Sequence, residues 1–429
     1  MIKQYFKQAI YQLKENKLIS GISIVGTALA ICMIMVIVLV FEVRTADCVP
    51  EVNRSRSLYV KWMSMRQKGG NSDDSSNGSM SYRTAKECFK KLTTAEAVGI
   101  TAMNEVVRAS VPAGEKISAD MLETDDTFWK VFSFEFIHGK PYTRADFEAG
   151  LPKTVITESV ARKLYGTTDV VGKTVMLNFV EYTVTGVVKN ISKLAVSSYA
   201  QIWIPFTSTN FAEMAWGDGL GGALRVIILA KSKDDFPAIR AEAEKLRLQY
   251  NDAQQNLEVF YRGQPDEHFT FINHKVANEE PDMKNVIMRY VSIIIILLLV
   301  PAINLSSMTL SRMRKRMSEI GVRKAFGATS NELLHQVFME NLILTLMAGV
   351  LGLVLSYACT FLLDDFLFSN TENMILKSYG QTALSADMLL NPSIFIAAFA
   401  FCLVLNVLSA GIPAWRASRM NITDALNQK

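Results

Sequence analysis

Hydrophobic positions along this chain follow two different rhythms. Four continuous apolar runs, at 18–41, 290–310, 341–363 and 388–415, contain no charged residue. At about 1.5 Å per residue, each is long enough to cross a hydrocarbon core of about 30 Å as a helix. Between the first two runs the pattern changes to short stretches rich in β-branched and aromatic residues. Lys153–Thr157, 174–179, 182–188, Ile202–Pro205 and 224–230 read as strands. Residues 238–248, just after Pro237, show helical periodicity, and a further helical pattern begins near Asp282 and leads into the second run. The stretch 69–79, rich in Gly, Ser, Asn and Asp, reads as an irregular polar loop tip. The expected fold class is a membrane α-helical protein with four transmembrane helices. A large α+β extracytoplasmic domain of two subdomains lies between the first and second helices.

The first run could be taken for a secretory signal with Ala28-Leu29-Ala30 as its cleavage site. Strong hydrophobicity continues for eleven residues past Ala30, where a signal peptide turns polar. Leu29-Ala30-Ile31-Cys32 also lacks the small residue a lipobox places before its cysteine. A retained anchor is expected. Ahead of it, Tyr5, Phe6, Ile10, Tyr11 and Leu13 alternate with lysines at helical spacing, which suits an amphipathic helix on the membrane surface.

Cations then orient the spans. The N-terminal tail carries Lys3, Lys7, Lys14 and Lys17, and the stretch 311–340 carries Arg312, Arg314, Lys315, Arg316, Arg323 and Lys324. Arg416 and Arg419 follow the last run, whereas 364–387 holds one lysine against Asp364, Asp365, Glu372 and Asp387. All four counts agree that both termini and the second loop are cytoplasmic, and the expected localisation is the cell inner (cytoplasmic) membrane as a multi-pass protein. The expected layout is a cytoplasmic amphipathic helix (1–17), helix 1 (18–42), the extracytoplasmic domain (43–284) and helix 2 (285–311). A cytoplasmic coupling loop (312–338), helix 3 (339–363), a short outer loop (364–387), helix 4 (388–415) and a cytoplasmic tail (416–429) complete it.

Composition supports this division: half the residues are hydrophobic, and the net charge of +4 says little about nucleic acid. Five scattered cysteines form no metal-binding spacing; a Cys48–Cys88 disulfide stays open. The histidines are dispersed, and His138, His268 and His274 read as surface or hydrogen-bonded residues. Gly166-Thr-Thr-Asp-Val-Val-Gly172-Lys173-Thr174 looks like a phosphate loop, but it has five residues between its glycines where that motif has four. A β run rather than a helix follows it, so two turn-forming glycines are the better account. No catalytic constellation and no metal pattern stands out by spacing.

The sharpest motif is Arg314-Lys-Arg-Met-Ser-Glu319-Ile-Gly321-Val-Arg323-Lys324-Ala-Phe-Gly327-Ala328-Thr329. It resembles the loop after the second span of the MacB/FtsX-like permease family, the type VII ABC systems. Asn304-Leu305 before it, Glu340-Asn341, Gly349 and Gly352 after it, and the tail Pro413-Ala-Trp-Arg-Ala-Ser-Arg419 also match. Residues 155–166, 171–174 and 182–189 look like that family's periplasmic core domain, so the resemblance touches most of the chain.

The resemblance implies a permease that works as a dimer, with a second copy or a paralogue. ATP-driven motion of a cytoplasmic ABC ATPase would be passed to the periplasmic domain as mechanotransmission. Glu319, Gly321, Arg323, Lys324, Gly327 and Ala328 would form the ATPase-docking helix, and Asn304, Gly349 and Gly352 are candidates for helix interfaces. The chain shows no Walker or signature segment, so it is expected not to be an enzyme and to hold no cofactor, with ATP bound by the partner subunit. Export of peptides, toxins or antimicrobial compounds is the leading expectation, with a periplasmic adaptor, an outer-membrane factor and membrane lipids as further partners. Lipoprotein release and activation of a cell-wall hydrolase are alternatives on the same fold.

Overall fold

The structure is a computed structural model. It describes residues 17–315 except 72, 73 and 113, residues 329–363, and isolated positions at 322, 326, 396, 400 and 404. The principal helices are α1 (Lys17–Thr45), α2 (Glu158–Tyr165), α3 (Phe236–Asp252), α4 (His268–Asn273), α5 (Met283–Lys315) and α6 (Ser330–Leu362). The strands begin with β1 (Ser57–Val60), β2 (Met63–Gln67), β3 (Ser76–Met80), β4 (Ala97–Thr101), β5 (Glu105–Ser110), β6 (Lys116–Thr124), β7 (Phe136–Gly139) and β8 (Lys153–Thr157). They continue with β9 (Thr174–Leu177), β10 (Val180–Val188), β11 (Ile202–Pro205), β12 (Gly221–Gly222), β13 (Arg225–Leu229), β14 (Leu257–Phe260) and β15 (Asp266–Glu267). These elements fall into two compact units. One lies within 43–286; the other holds α1 to Glu42, α5 from Ile287, and α6.

In the larger unit, β6, β5, β9, β10, β8 and β11 pair in that order, and β11 returns to β6 in parallel, Ile202 opposite Met121. The six strands thereby close on themselves. Alternate side chains point inward, so Val107, Ala109, Ala119, Met121, Val175, Tyr182, Val184, Ile202 and Ile204 fill the ring, as a small barrel requires. Helix α2 contributes Val160, Ala161 and Leu164 to that core.

From β6 an antiparallel arm continues through β4, β13, β1 and β15. Leu58, Val60, Val226 and Ile228 face one core while Tyr59, Ile227 and Leu229 face another. A strand buried on both faces reads as a continuous apolar run, which is why Arg225–Leu229 was legible as a strand. Helix α3 covers the first face with Phe236, Ile239, Ala243 and Tyr250, at helical spacing. A second sheet, β12-β3-β2-β14, completes the α+β unit.

Two expectations change here. Residues 69–79 are not all loop, because Ser76–Met80 pairs with both β2 and β12. Its small polar side chains hide the strand, and backbone pairing with two neighbours holds it. The run 174–179 ends as a strand at Leu177, since Asn178 and Phe179 take φ of +46° and +73° in the turn to β10. Gly166 and Gly172, the ends of the phosphate-loop lookalike, both have left-handed φ and sit in turns.

In the smaller unit, Ser20–Glu42 and Leu342–Leu362 are long and apolar enough to cross a membrane. Helix α5 carries the uncharged run 290–310 through its 33 residues. The run 388–415 and the amphipathic stretch before Lys17 lie outside the described residues. Helices α1 and α6 share a core of Ala28, Ile31, Ile34, Met35 and Ala348. Helix α6 starts at a capping box. Thr329 Oγ1 accepts from Glu332 N, and the Glu332 carboxylate accepts from Thr329 N at 2.9 Å.

Candidate functional site

The chain enters the α+β unit after α1 and leaves it before α5, and both connections are fastened at one edge of the arm. Strand β1 lies between β13 and β15, with Leu58 opposite Glu267 and Tyr59 opposite Asp266. Residues that follow the first helix therefore form a ladder with residues that precede the second.

The inbound segment carries a buried ion pair, Arg54 Nε to Glu51 Oε2 at 2.6 Å, with both side chains shielded from solvent. Glu51 Oε1 also accepts from Ser197 N, Ser198 N and Ser198 Oγ, at 2.8, 3.0 and 3.0 Å. Arg54 donates further to the carbonyls of Ala46 at 2.8 Å and Leu194 at 2.5 Å. Burying two charges is tolerable only where such bonds satisfy both groups. The loop they grip is itself tied to the barrel. Tyr199 Oη donates to Asp120 Oδ2 at 3.1 Å, and Gln201 N to Asp120 O at 2.8 Å, on β6.

The outbound segment is laced to the same place. Gln264 Oε1 accepts from Lys61 N at 2.7 Å and Trp62 N at 3.1 Å, while its amide donates to Trp62 O at 2.8 Å. His274 Nδ1 lies 2.7 Å from Asp266 Oδ2, and the His274 carbonyl accepts from Trp62 Nε1 at 3.4 Å. Phe271 of α4 stacks on Tyr59 at 4.5 Å. The arrangement offers no nucleophile with a base, and no cluster of metal-ligating residues occurs among the described residues.

His268 and His274 are both buried; His274 is hydrogen-bonded, within the sequence expectation, whereas His268 is neither at the surface nor hydrogen-bonded and corrects it. His274 has its carboxylate partner, but neither ring nitrogen of His268 has a hydrogen-bond partner. Burial, and then the nearby Arg54 charge, push His268 down to about 4. Such a depressed histidine contributes fully to stability above about pH 6.5. The contribution is lost as pH falls from there through about 4, by about 3 kcal/mol in all. His268→Phe should make the melting temperature of the protein less sensitive to pH between 7 and 4; equal sensitivity in both proteins would contradict this. Inside the barrel mouth another buried group stands out. Glu123 accepts from Thr209 Oγ1 at 2.7 Å, and burial pushes its carboxyl up to about 8. Its position two residues after Met121 on β6 gave no sequence signal beyond alternation.

Of the residues singled out from sequence, Glu319, Gly321, Arg323, Lys324, Gly327 and Ala328 lie outside the described residues. Asn304 falls within α5. Gly349 and Gly352 are buried in α6. A Cβ at Gly352 would come within 2.8 Å of the Ala28 carbonyl oxygen and 2.9 Å of Ile31, so α1 and α6 meet there closely enough to exclude any side chain. Cys32 and Cys359 face each other across this pair at 3.9 Å. Cys48 and Cys88 are both free thiols, and burial pushes each up to about 11.

Residues 20–246 match the family model described as the MacB-like periplasmic core domain, and residues 291–422 match the FtsX-like permease C-terminal model. The macrolide export ATP-binding/permease protein MacB 1 of Yersinia pestis bv. Antiqua (strain Antiqua) is 25% identical over 313 residues, which cover 72% of this chain and 43% of that protein. The chain thus spans less than half the length of that relative. The uncharacterized ABC transporter permease YknZ of Bacillus subtilis (strain 168) is 28% identical over 273 residues, 60% of this chain and 63% of YknZ. Among solved structures, the extracellular domain of YknZ aligns with 47% of this chain and 99% of its own, at 18% identity and a TM-score of 0.35. The periplasmic region of MacB from Actinobacillus actinomycetemcomitans aligns with 47% and 88%, at 15% identity and a TM-score of 0.33.

Proposed function

This chain belongs to the MacB/FtsX-like family of ABC transporter permeases, and from that membership we propose that it converts motion driven by a separate cytoplasmic ATPase into movement of its extracytoplasmic α+β domain. It crosses the inner membrane four times with both termini in the cytoplasm, and it works beside a second copy or a paralogue. The coupling loop docks the ATPase through Glu319, Arg323 and Lys324, with Gly321, Gly327 and Ala328 shaping the docking helix. ATP is bound by that partner, and the permease itself holds no cofactor and catalyses no reaction.

The observation that carries this reading is the β1–β15 ladder with the Glu51–Arg54 pair beside it. The segment after the first helix and the segment that leads toward the second pair on one edge of the domain, and that shared edge supports the reading that a shift of the helices is passed to the domain. Export or extrusion of peptides, toxins or antimicrobial compounds is the cargo reading, supported by the macrolide export named for the relatives. A periplasmic adaptor and an outer-membrane factor would complete the route.

Purification of the full-length protein from its own membranes tests the core of this reading. An ABC ATPase should co-purify, and ATP turnover should follow the fractions that contain it. Turnover by this chain alone, or isolation with no ATPase under any mild condition, would count against it.

A further inference from the structure

The chain leaves the barrel at β11 and crosses to β12 of the second sheet, and the start of this crossing is fastened to one buried carboxyl. Two single-turn helices, Phe206–Ser208 and Asn210–Glu213, form it. Phe206, Phe211 and Ala212 pack into the core that α3 covers, so the segment joins the barrel to the rest of the domain. Its polar side faces the barrel. Thr209 reaches Glu123 of β6, and Ser208 Oγ lies 3.4 Å from Tyr182 Oη of β10. Glu123 is only 2% exposed, and its backbone carbonyl accepts from Ala102 N at 2.8 Å.

The hydrogen bonds around Thr209 distinguish the two forms of Glu123. Thr209 Oγ1 accepts from Phe211 N at 3.2 Å and has a single proton to give. Two acceptors lie within reach of that proton, Glu123 Oε2 at 2.7 Å and Phe206 O at 3.0 Å. An ionised Glu123 can only accept, so it competes with the Phe206 carbonyl for one proton. A protonated Glu123 donates to Thr209 Oγ1 instead, and the hydroxyl turns its own proton to Phe206 O. Every group in this relay is then satisfied, as buried polar groups in folded proteins nearly always are. The surroundings favour the acid as well. Ile204 of β11 lies opposite Glu123, and Glu105 of β5, opposite Met121, stands diagonally across from it. Tyr182, Ser208 and Thr209 offer hydroxyls and no positive charge, and Glu213 on the segment is exposed. We propose that Glu123 is held as a carboxylic acid whose proton latches residues 206–213 to the barrel, so that alkaline solution releases the segment. Burial, with the Glu105 charge adding to it, raises the Glu123 carboxyl from 4.5 to about 8. A carboxyl raised by folding contributes stability that is complete below about 4.5 and is lost as pH rises through about 8. The latch is therefore closed near neutral pH and opens above 8.

Hydrogen exchange of the full-length protein in nanodiscs, read by mass spectrometry at pH 6.5 and pH 9, tests it. After correction for the faster intrinsic exchange in alkali, amides of 206–213 should lose about ten-fold in protection at pH 9, the change expected one pH unit past the titration. Amides of α3 should keep theirs. Glu123→Gln retains a donor toward Thr209 but cannot ionise, so its protection in 206–213 should be equal at the two pH values. Glu105→Gln removes the neighbouring negative charge and should move the transition to lower pH. Unchanged protection in the wild type, or a transition that survives in Glu123→Gln, overturns the proposal. An equal loss in α3, which marks general unfolding, overturns it too. Infrared difference spectra of the wild type need no variant: the carbonyl band of a buried carboxylic acid should be present at pH 6.5 and lost at pH 9. Absence of that band at pH 6.5 would equally overturn the proposal.

Discussion

Arg54→Met should lower the stability of the α+β domain by about 3–5 kcal/mol, because removing one partner of a buried ion pair leaves the other charge uncompensated. Glu51 would keep its bonds from Ser197 and Ser198 but would lose its ionic partner, and the Ala46 and Leu194 carbonyls would lose a donor. For a domain of this size the loss corresponds to a fall in melting temperature on the order of 10 °C. Differential scanning calorimetry of the full-length protein in nanodiscs would measure it. Arg144→Met, which removes a helix-surface pair with the exposed Glu148, should leave the melting temperature unchanged. Equal behaviour of the two variants would remove the buried pair from the account. Arg54→Met should also show faster proteolysis near residues 46–56, since that segment is what the guanidinium fastens.

The second large effect is expected in the coupling loop. Glu319→Lys reverses a charge at the proposed ATPase interface, where like charges brought together cost several kcal/mol. Lysine forms helices as well as glutamate does, so insertion and folding should be normal. The variant should lose at least ten-fold in ATPase co-purification and should fail to support transport-dependent growth. Arg312→Glu, nearer the apolar run, should mainly disturb membrane insertion. Unchanged ATPase recovery with Glu319→Lys would leave the loop as a cluster that only sets topology.

What could be read from the sequence follows from where each constraint lives. A membrane demands continuous apolar runs, so Ser20–Glu42 and Leu342–Leu362 declare themselves by composition. Arg225–Leu229 and Ile202–Pro205 were legible because burial on both faces leaves an unbroken apolar stretch. Residues 57–124 hid six strands. Ser57–Val60 is short, and Ser76–Met80 runs through Ser, Asn, Gly and Ser before Met80 enters the core, a pattern that does not read as a strand. Phe179 extended an apparent strand past its end, since an aromatic residue normally argues for a strand and here occupies the turn. The Glu51–Arg54 pair looks in sequence like any acid and base three residues apart. Only the fold brings Ser197, Ser198 and Leu194 around it and removes the water. His268 became unusual in the same way, through the surrounding Tyr59, Phe271 and Arg54 rather than through any local spacing.

The central claim is that ATPase motion reaches the extracytoplasmic domain, and a distance measurement tests it most directly. A spin label at Lys116→Cys, at the exposed start of β6, would be placed in a cysteine-free background and the permease reconstituted with its ATPase in nanodiscs. Pulsed dipolar spectroscopy would then compare the nucleotide-free and ATP-trapped states. The account predicts that the distance between labels on paired copies shifts on ATP trapping, and that Glu319→Lys abolishes the shift. Identical distance distributions in the two nucleotide states, with the ATPase bound and turning over, would contradict it.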